Sequence, residues 1–575
     1  MADTKSKPGW RDVARAMVHR KSGFMALFGF ASGLPFALFL GTLYAWLTEA
    51  EVDLETMGVF SLIGLAYAFQ FLWSPLIDKV DIPGLRRFGK RKQWIVPMQL
   101  VLGAILVTLS VLEPKSQLGW FSLLAGIGAF ASATQDIAIN AWRIDVADEE
   151  ATLDILSTIY QMGYRLAALV GGALGLIIAA RIGWPETYML MGAILLGIGF
   201  FGLWAPDADV RSGAQKLADP VADDQLLALR KAGELRPEIR RNALAFVGLL
   251  WAAAIGVVLT FMIMSMTYAP EDRPNPTDFT LGWGPWIIVA TVVVPALVAG
   301  WLAGKQKRGE GVLTQDAATA TGGGAVMDHL YRALVLPLVE FVGRMGWSLV
   351  LILALVLTYR ICDAIWGTFA YPFYLGELAY SNDEVAFASK FFGVGAIIAG
   401  LALGGLMITF LGRMTTLTIG AILAAATNLL YADLAAGGGN MQAFSDSVGF
   451  TYLIGLLGEF GRPALAKLTI TIAFENLAIG IAGAAYVAWL SSIVNKKFAA
   501  VQYALLSSLT LLVGTLGRGA LGEMIEDRGY YDVFIFTALI GAVAVILCVL
   551  EWMRENRAGK ASGVVTPDHK VAAGA

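Results

Sequence analysis

The stretch YYDVFIFTALIGAVAVILCVLEWM, residues 530–553, decides the fold class of this chain. No charged residue lies between Val533 and Leu550, and at a rise of about 1.5 Å per residue a helix of this length crosses most of the hydrocarbon core of a bilayer. Because a helix satisfies its own backbone hydrogen bonds, it is a form in which such a segment can span a membrane. The stretch therefore predicts a transmembrane helix.

Similar apolar stretches recur along the whole chain. The 575 residues are 57% apolar and 15% charged, with a mean hydropathy of +0.66, which excludes an ordinary soluble protein. The sequence thus predicts an all-α integral membrane protein. We place about fourteen spans, at 23–47, 56–77, 94–112, 119–141, 153–179, 184–204, 243–268, 283–304, 347–375, 386–411, 413–432, 464–493, 499–523 and 530–553.

The connections between these spans alternate in charge. One set is basic: Lys79, Arg86, Arg87, Lys90, Arg91, Lys92, Arg211, Lys216, Arg230, Lys231, Arg240, Arg241, Lys305, Lys307, Arg308, Lys496, Lys497, Arg554 and Arg557. The other set carries Glu49, Glu51, Asp53, Glu55, Glu271, Asp272, Glu377, Asp383 and Glu384. Since basic connections stay in the cytoplasm, both termini are expected there. No cleavable signal peptide is visible before the first span.

Two polar segments divide the chain into parts. A charged loop at 206–242 and a linker at 305–346, with the Gly322-Gly323-Gly324 run, enclose an additional hairpin at 243–304. A six-helix half at 23–205 and another at 347–553 flank them, with a cytoplasmic segment at 1–22 and a tail at 554–575. Two six-helix halves joined by a long charged loop are the architecture of the major facilitator superfamily.

Short motifs support a narrower assignment. An acidic-then-basic signature, Asp78-Lys79 and then Gly89-Lys90-Arg91-Lys92, lies between spans two and three. The longer matches, in chain order, are 30–35 (FASGLP), 46–48 (WLT), 60–62 (FSL), 71–78 (FLWSPLID), 131–137 (ASATQDI), 163–165 (GYR), 363–364 (DA), 474–477 (FENL) and 502–507 (QYALLS). Together they resemble the AmpG muropeptide permease family over roughly 23–205 and 347–553.

The resemblance implies a function. Such a protein would be a secondary transporter in the bacterial inner membrane, importing N-acetylglucosaminyl-1,6-anhydro-N-acetylmuramyl species, with or without peptide, from periplasm to cytoplasm. Import would be proton symport by alternating access, in peptidoglycan recycling. The expected partners are an anhydro-muropeptide or related amino-sugar solute, protons and the lipid bilayer, and no nucleic acid. The hairpin at 243–304 resembles the larger, fourteen-span members.

One departure from the family pattern affects which group would carry the proton, and the scaffold alone does not fix the cargo. Where relatives usually carry a second acidic residue after the Gln135-Asp136-Ile137 motif, this chain has Asn140. Eukaryotic acetyl-CoA transporters are distant relatives on the same scaffold, so another large anionic solute such as an acyl-CoA is an alternative cargo. A membrane-embedded enzyme or sensor is disfavoured, because no nucleotide-binding loop or clustered catalytic set occurs. No cofactor and no metal are expected.

Charged and amide side chains inside spans are the candidates for binding. Asp136, Asn140 and Arg143 share one face near the cytoplasmic end of span four, as a substrate contact, a gate, or a structural charge network with Asp145 and residues of the connection between spans two and three. Asp78 in that connection is a further gating candidate. In span five, Gln161 and Arg165 lie four apart. Arg165 is near the midplane, where its planar fork suits a carboxylate of the solute, or a structural ion pair.

Carboxylates in the second half are the candidates for proton coupling. Asp363 is the first choice, with Arg360 on the same face of span nine, and Glu475 in span twelve is the second. Asp363 and Arg360 could simply neutralise each other, and either carboxylate could instead be structural. Asn476 is a candidate sugar contact. The aromatic residues suited to stacking on pyranose rings are Trp46, Tyr160, Tyr164, Trp366, Tyr371 and Tyr374. Near the outer ends of spans ten and thirteen, Lys390 and Arg518 could attract an anionic solute and gate its entry, or simply extend to the interface.

Overall fold

The computed structural model describes residues 10–51, 67, 69–207, 235–268, 272, 274, 276–312, 323–360, 369–370, 372–458 and 461–562. Within these residues the chain is helical, and its one backbone pairing of β type is an isolated antiparallel bridge between Leu235 and Val312. The predicted all-α class is confirmed.

The first half is a set of helices that run back and forth through the bundle. The first span is interrupted: Pro35 removes a backbone donor inside α2, and a π-helical turn at Leu38–Thr42 follows before α3. The helices are α1 (Trp10–Val18), α2 (Arg20–Ala37), α3 (Leu43–Glu49), α4 (Ser74–Lys79), α5 (Lys92–Leu109), α6 (Leu118–Val146), α7 (Leu153–Ala168), α8 (Gly175–Ile182) and α9 (Trp184–Gly202). We call the end of the bundle that carries connections 80–91 and 493–498 the basic end.

Helices α2 and α7 cross at very short range, and glycine makes this possible. A Cβ at Gly33 would lie 2.5 Å from the backbone oxygen of Tyr164, and one at Gly163 would lie 2.5 Å from that of Ala26. Both distances are far below a van der Waals contact. The crossing therefore depends on glycine, and it brings the Tyr160 side of α7 against the face of α2 that carries Ser32.

The additional hairpin follows the first half. Its first helix, α10 (Pro237–Thr267), pairs with α11 (Pro276–Ile288) and α12 (Val294–Lys307), where the Trp251 indole donates to the Thr291 carbonyl at 3.0 Å. The Trp251 ring also lies 6.3 Å from that of Phe71, just before α4. Arg236 donates its backbone N–H to the Gly311 carbonyl at 2.7 Å, beside the bridge of Leu235 and Val312, so the two ends of the hairpin meet.

The connection expected as a polar linker at 305–346 contains two helices, α13 (Gly323–Leu334) and α14 (Leu336–Met345). Helix α14 is attached by Glu340, which is 3% exposed. Its carboxylate accepts from Gln502 at 2.6 Å, from Asn495 at 3.0 Å and from Arg344 at 2.8 Å. This part of the linker is therefore bound to the 493–498 connection of the second half.

The second half repeats the antiparallel arrangement. A Cβ at Gly480 would lie 2.5 Å from the Ile397 carbonyl oxygen, so glycine again permits a close crossing. The long helix α22 breaks at Gly529, whose φ of 79° separates 499–528 from 530–562. The helices are α15 (Ser348–Thr358), α16 (Asn382–Ala386), α17 (Val394–Leu411), α18 (Arg413–Ala435), α19 (Gly439–Ser447), α20 (Phe450–Gly455), α21 (Pro463–Ser492) and α22 (Ala499–Ser562).

Ten helices among the described residues are long and apolar enough to span a membrane, or eleven if a bent pair counts as one span. They correspond to predicted spans three to eight, ten to twelve and fourteen. Of the other four predicted spans, the first is interrupted by the π-helical turn. The second, ninth and thirteenth include residues or side chains outside the described part of the chain. Helical segments of all four are present, at Arg20–Glu49, Ser74–Lys79, Ser348–Thr358 and 499–528, so about fourteen spans remain consistent with the fold.

Candidate functional site

Asp136 lies at the centre of a hydrogen-bonded cluster inside the first half. Its Oδ1 accepts from the Ser32 hydroxyl at 2.6 Å and from the Tyr160 hydroxyl at 2.6 Å, and those two hydroxyl oxygens are 3.1 Å apart. Ser32 and Tyr160 are buried, and Asp136 is partly buried. Three different helices, α2, α6 and α7, therefore hold one carboxylate oxygen in place.

Aromatic rings form one wall beside this carboxylate. Tyr164 lies one turn after Tyr160 with ring centroids 6.2 Å apart, and Phe36 lies 6.1 Å from Tyr164. Phe36 also meets the Tyr67 ring edge-on at 5.2 Å. Such rings suit the apolar faces of sugar rings.

Positive charges from both halves act on this wall. The Tyr164 hydroxyl interacts electrostatically with Asp136, with Arg165 on its own helix, and with Arg360 from the other half. Gln161, one turn before Arg165, is partly buried on α7. The sequence-predicted residues Asp136, Arg165 and Arg360 are thus brought within electrostatic range of one hydroxyl group.

The second half contains a similar arrangement around Glu475. The Tyr431 hydroxyl from α18 donates to the Glu475 carboxylate, and the Tyr374 hydroxyl lies 2.7 Å from that of Tyr431. Tyr374 belongs to a π-helical segment, Pro372–Glu377. Asn476 instead donates to the Ile472 carbonyl of its own helix at 2.9 Å. A carboxylate bonded to a buried tyrosine is therefore present in each half.

Arg143 lies where the two halves meet. Its guanidinium carbon is 4.8 Å from the centroid of the Tyr160 ring and 5.2 Å from that of the Tyr503 ring, and Nη2 donates to the Ser491 hydroxyl at 2.9 Å. The side chain is fully buried, and its Nε and Nη1 have no hydrogen-bond partner. Asn140 donates to the Asp136 backbone oxygen at 2.8 Å, while its own oxygen is buried without a partner.

Asp78 closes the basic end of the bundle. Its carboxylate lies 2.8 Å from Arg91, which is also paired with Asp145 at 2.7 Å, and it accepts the backbone N–H of Val501 at 3.1 Å. These charges raise the pKa of Arg91 although burial opposes them. Because Val501 is in the first turn of α22, Asp78 caps a helix of the other half.

Further contacts between the halves lie at the same end. The Asp154 carboxylate on α7 accepts from Arg413 at the start of α18 at 2.9 Å, and the Lys79 ammonium lies 5.1 Å from the centroid of the Phe498 ring. Four hydrogen bonds that join the halves directly lie toward the basic end: Arg143 to Ser491, Arg413 to Asp154, Lys496 to the Ala147 carbonyl, and the Val501 N–H to Asp78. The protein is therefore closed at that end.

Other predicted residues are not placed in this site. Asp363 and Trp366 lie outside the described residues, and so does the side chain of Arg518. Lys390 is exposed on a π-helical segment, Phe387–Gly393. No group of His, Cys, Asp and Glu suited to a metal occurs among the described residues.

Comparison with known proteins identifies the family. A model of the Major Facilitator Superfamily matches residues 22–362. The chain belongs to the major facilitator superfamily. A solved structure of another member, the proton:xylose symporter XylE bound to 6-bromo-6-deoxy-D-glucose, has the same fold at 11% identity, with a TM-score of 0.52 over 93% of this chain and 95% of that one.

Two relatives refine this assignment within the major facilitator superfamily. The chain is 29% identical to the "Anhydromuropeptide permease" of Escherichia coli (strain K12), over 93% of this chain and 82% of that protein. It is 25% identical to the "Putative transporter AmpG 4" of Rickettsia conorii, over 91% and 94%. The resemblance to the AmpG permeases is confirmed, and the protein is a transporter rather than an enzyme.

Sequence reasoning alone missed several partners in this facilitator site. Tyr431 carried no motif, and Ser491 and Tyr503 lie more than three hundred residues from Arg143. Tyr160 and Tyr374 were expected to stack on pyranose rings, and their hydrogen bonds to other side chains were not anticipated. The missed residues are the ones that connect a charge on one helix to a distant helix.

Proposed function

We propose that the protein imports anhydro-muropeptides, N-acetylglucosaminyl-1,6-anhydro-N-acetylmuramyl species with peptide, by proton symport and alternating access. The observation that carries the proposal is the Asp136 carboxylate, hydrogen-bonded to Tyr160 beside the rings of Tyr164 and Phe36, with Arg165 and Arg360 within electrostatic range of the Tyr164 hydroxyl. Similarity to the E. coli anhydromuropeptide permease over most of the chain supports the same cargo.

The chemistry of the cluster fits such a cargo. The guanidinium groups of Arg165 and Arg360 have the planar donor pairs that bind carboxylates of a lactyl group or a peptide. The rings of Tyr164 and Phe36 offer flat faces for pyranose rings. Gln161, Asn140 and Asn476 would add amide contacts to the sugar hydroxyls.

Proton coupling is assigned to embedded carboxylates. Glu475 and Asp136 each hold a hydrogen bond from a buried tyrosine, so each can change its bonding when it takes up a proton. Asp363 stays a candidate on sequence grounds. Lys390 and Arg518, near the opposite end of the bundle, are proposed to attract the anionic solute to the entrance.

The orientation follows from charge. We assign the basic end to the cytoplasm, which puts both termini there and makes the closed conformation outward-facing. Arg143 and Asp78 then form part of the cytoplasmic gate. The proposed location is the inner membrane of a bacterial cell, where peptidoglycan fragments from the periplasm would enter for recycling.

Uptake of a radiolabelled anhydro-disaccharide peptide into proteoliposomes, with and without an inward proton gradient, tests the proposal. We expect gradient-dependent accumulation, with loss in Arg165→Gln and retention in Arg181→Gln, whose arginine is exposed near the opposite end. Equilibration that ignores the gradient would remove the symport mechanism. No uptake by folded protein would favour another large anionic cargo such as an acyl-CoA.

A further inference from the structure

The buried guanidinium of Arg143 has an unusual set of neighbours. Two aromatic faces and the Ser491 hydroxyl contact it, and no carboxylate lies within ion-pairing distance among the described residues. Nε and Nη1 are unpartnered in a side chain with no exposed surface. A buried cation in this state is held mainly by its aromatic contacts, so small changes in those rings alter its stability strongly.

One of these rings is also the hydrogen-bond partner of Asp136. Tyr160 donates its hydroxyl to the Asp136 carboxylate at 2.6 Å and presents its ring face to Arg143 at 4.8 Å. Arg143 lies seven residues after Asp136 on the same helix, about 10 Å along the axis, so the tyrosine spans the gap between them. The other ring, Tyr503, belongs to the opposite half.

The groups around Asp136 determine which contacts change when its charge is neutralised. Helix α2 contributes only the neutral Ser32 hydroxyl at contact distance, and α6 contributes Arg143 further along its own face. Tyr160 and Tyr164 from α7 and Tyr67 from span two lie within electrostatic range of Asp136. Arg165 from α7 and Arg360 from the second half act on Tyr164, and Tyr503 from the second half acts on Tyr160. The hydrogen bonds to the Asp136 carboxylate come from the Ser32 and Tyr160 hydroxyl groups.

We propose that Tyr160 couples protonation of Asp136 to the opening of the gate at the basic end. The inference rests on the proposed proton symport. A proton from the medium adds to a carboxylate oxygen of Asp136 and no covalent bond breaks. The Tyr160 hydroxyl then loses its charge-assisted hydrogen bond to the carboxylate.

The consequence is a change in the contact between the halves. A less restrained Tyr160 ring holds Arg143 less firmly, and Arg143 is the residue that reaches Ser491 and Tyr503 across the interface. The closed state weakens and the basic end opens. Release of the proton after opening restores the bond and favours closure again.

Backbone amide hydrogen exchange measures the opening of the basic end without any solute. The Val501 N–H is bonded to Asp78 across the gate, so exchange in residues 499–503 reports opening. In Asp136→Asn, which mimics the neutral carboxyl group, we expect exchange about tenfold above the wild type at the same pH, as expected for losing one charge-assisted hydrogen bond. The Tyr160→Phe variant keeps the ring and removes the hydroxyl, so adding Asp136→Asn to it should raise exchange no further.

Tyr188→Phe is the matched control. Tyr188 is buried, and its hydroxyl contacts Thr42 and Leu38 rather than Asp136, so adding Asp136→Asn to Tyr188→Phe should raise exchange as it does in the wild type.

A rise of about tenfold in exchange when Asp136→Asn is added to Tyr160→Phe would overturn the proposal, and so would wild-type exchange in Asp136→Asn if Tyr160→Phe does not fold. Because the measurement contains no solute, its failure would not mean that the proposed cargo is wrong. An effect of Asp136→Asn that is lost in Tyr160→Phe and kept in Tyr188→Phe would support Tyr160 as the coupling residue.

Discussion

The ion pair between Asp154 and Arg413 is the clearest test of how the gate is held. Asp154 belongs to the first half and Arg413 to the second, and both Nε and Nη2 of the arginine lie 2.9 Å from the same carboxylate oxygen. Neutralising either residue, as Asp154→Asn or Arg413→Gln, removes a contact that exists only while the basic end is closed.

The magnitude follows from the exposure of the pair. The side chains are 25% and 27% exposed, so solvent screens them, and a pair of this kind contributes about 1 kcal/mol to the closed state. That value corresponds to an increase of about fivefold in the ratio of open to closed molecules. The double neutralisation should add nothing beyond the single ones, because both remove the same contact.

Exchanging the two charges, as Asp154→Arg with Arg413→Asp, should restore the closed population. Each residue lies in the first turn of its helix, so the exchange places the aspartate at one helix N-terminus and the arginine at the other. The two dipole effects have opposite signs and nearly cancel. Recovery of the closed population in the exchanged variant would therefore be due to the ion pair itself.

Distances between spin labels at exposed positions 150 and 497, one on each half, measure the two populations by double electron–electron resonance. We expect a longer-distance component that grows about fivefold in the single variants and returns to the wild-type level in the exchanged variant. Unchanged distributions in both folded single variants would refute the assignment of this pair to the gate.

Three further predictions concern other parts of the molecule. Gly33→Ala should lower the thermal denaturation midpoint and abolish uptake, because its Cβ would lie 2.5 Å from a backbone oxygen of α7. For Asp148, burial raises the pKa, but bonds from the Lys21 ammonium and two backbone amides outweigh it and bring the pKa below its ordinary value. The carboxylate therefore stabilises the fold above the unfolded-state pKa, and the stability advantage over Asp148→Asn should disappear as the pH falls from about 6 to about 3. Glu475→Gln should keep exchange of solute and lose gradient-driven accumulation, since the amide still accepts the tyrosine hydroxyl but binds no proton; accumulation at the wild-type level would exclude Glu475 from coupling.

Much of the fold follows from local features of the sequence. Apolar length and loop charge predicted the helical spans, and Pro35, which removes a backbone donor inside its helix, gives a local reason for the π-helical turn that follows it. The linker helices α13 and α14 were not anticipated. Their stability depends on attachment elsewhere, such as that of Glu340 to Gln502, and no local pattern encodes it.

Part of the candidate site can likewise be predicted from the sequence, and part cannot. An embedded charge such as Asp136 is visible in the sequence because it is costly in an apolar span. The partner that makes it useful is not visible, since Tyr160 is one of many tyrosines, and only the rotation of α7 against α2 selects it. The contact of Arg143 with Tyr503 depends further on how two halves dock, which helical spacing within one half does not specify.

The two ends of the additional hairpin meet, and this has an evolutionary consequence. Arg236 and Gly311 are joined by a backbone hydrogen bond, so everything between them leaves the host chain and returns to it at one place. A segment of this kind can be gained or lost in a lineage without moving the helices on either side, as surface insertions are in soluble domains. Twelve-span and fourteen-span transporters can therefore share one ancestral mechanism, and the hairpin is a place where new properties could arise without altering the translocation path.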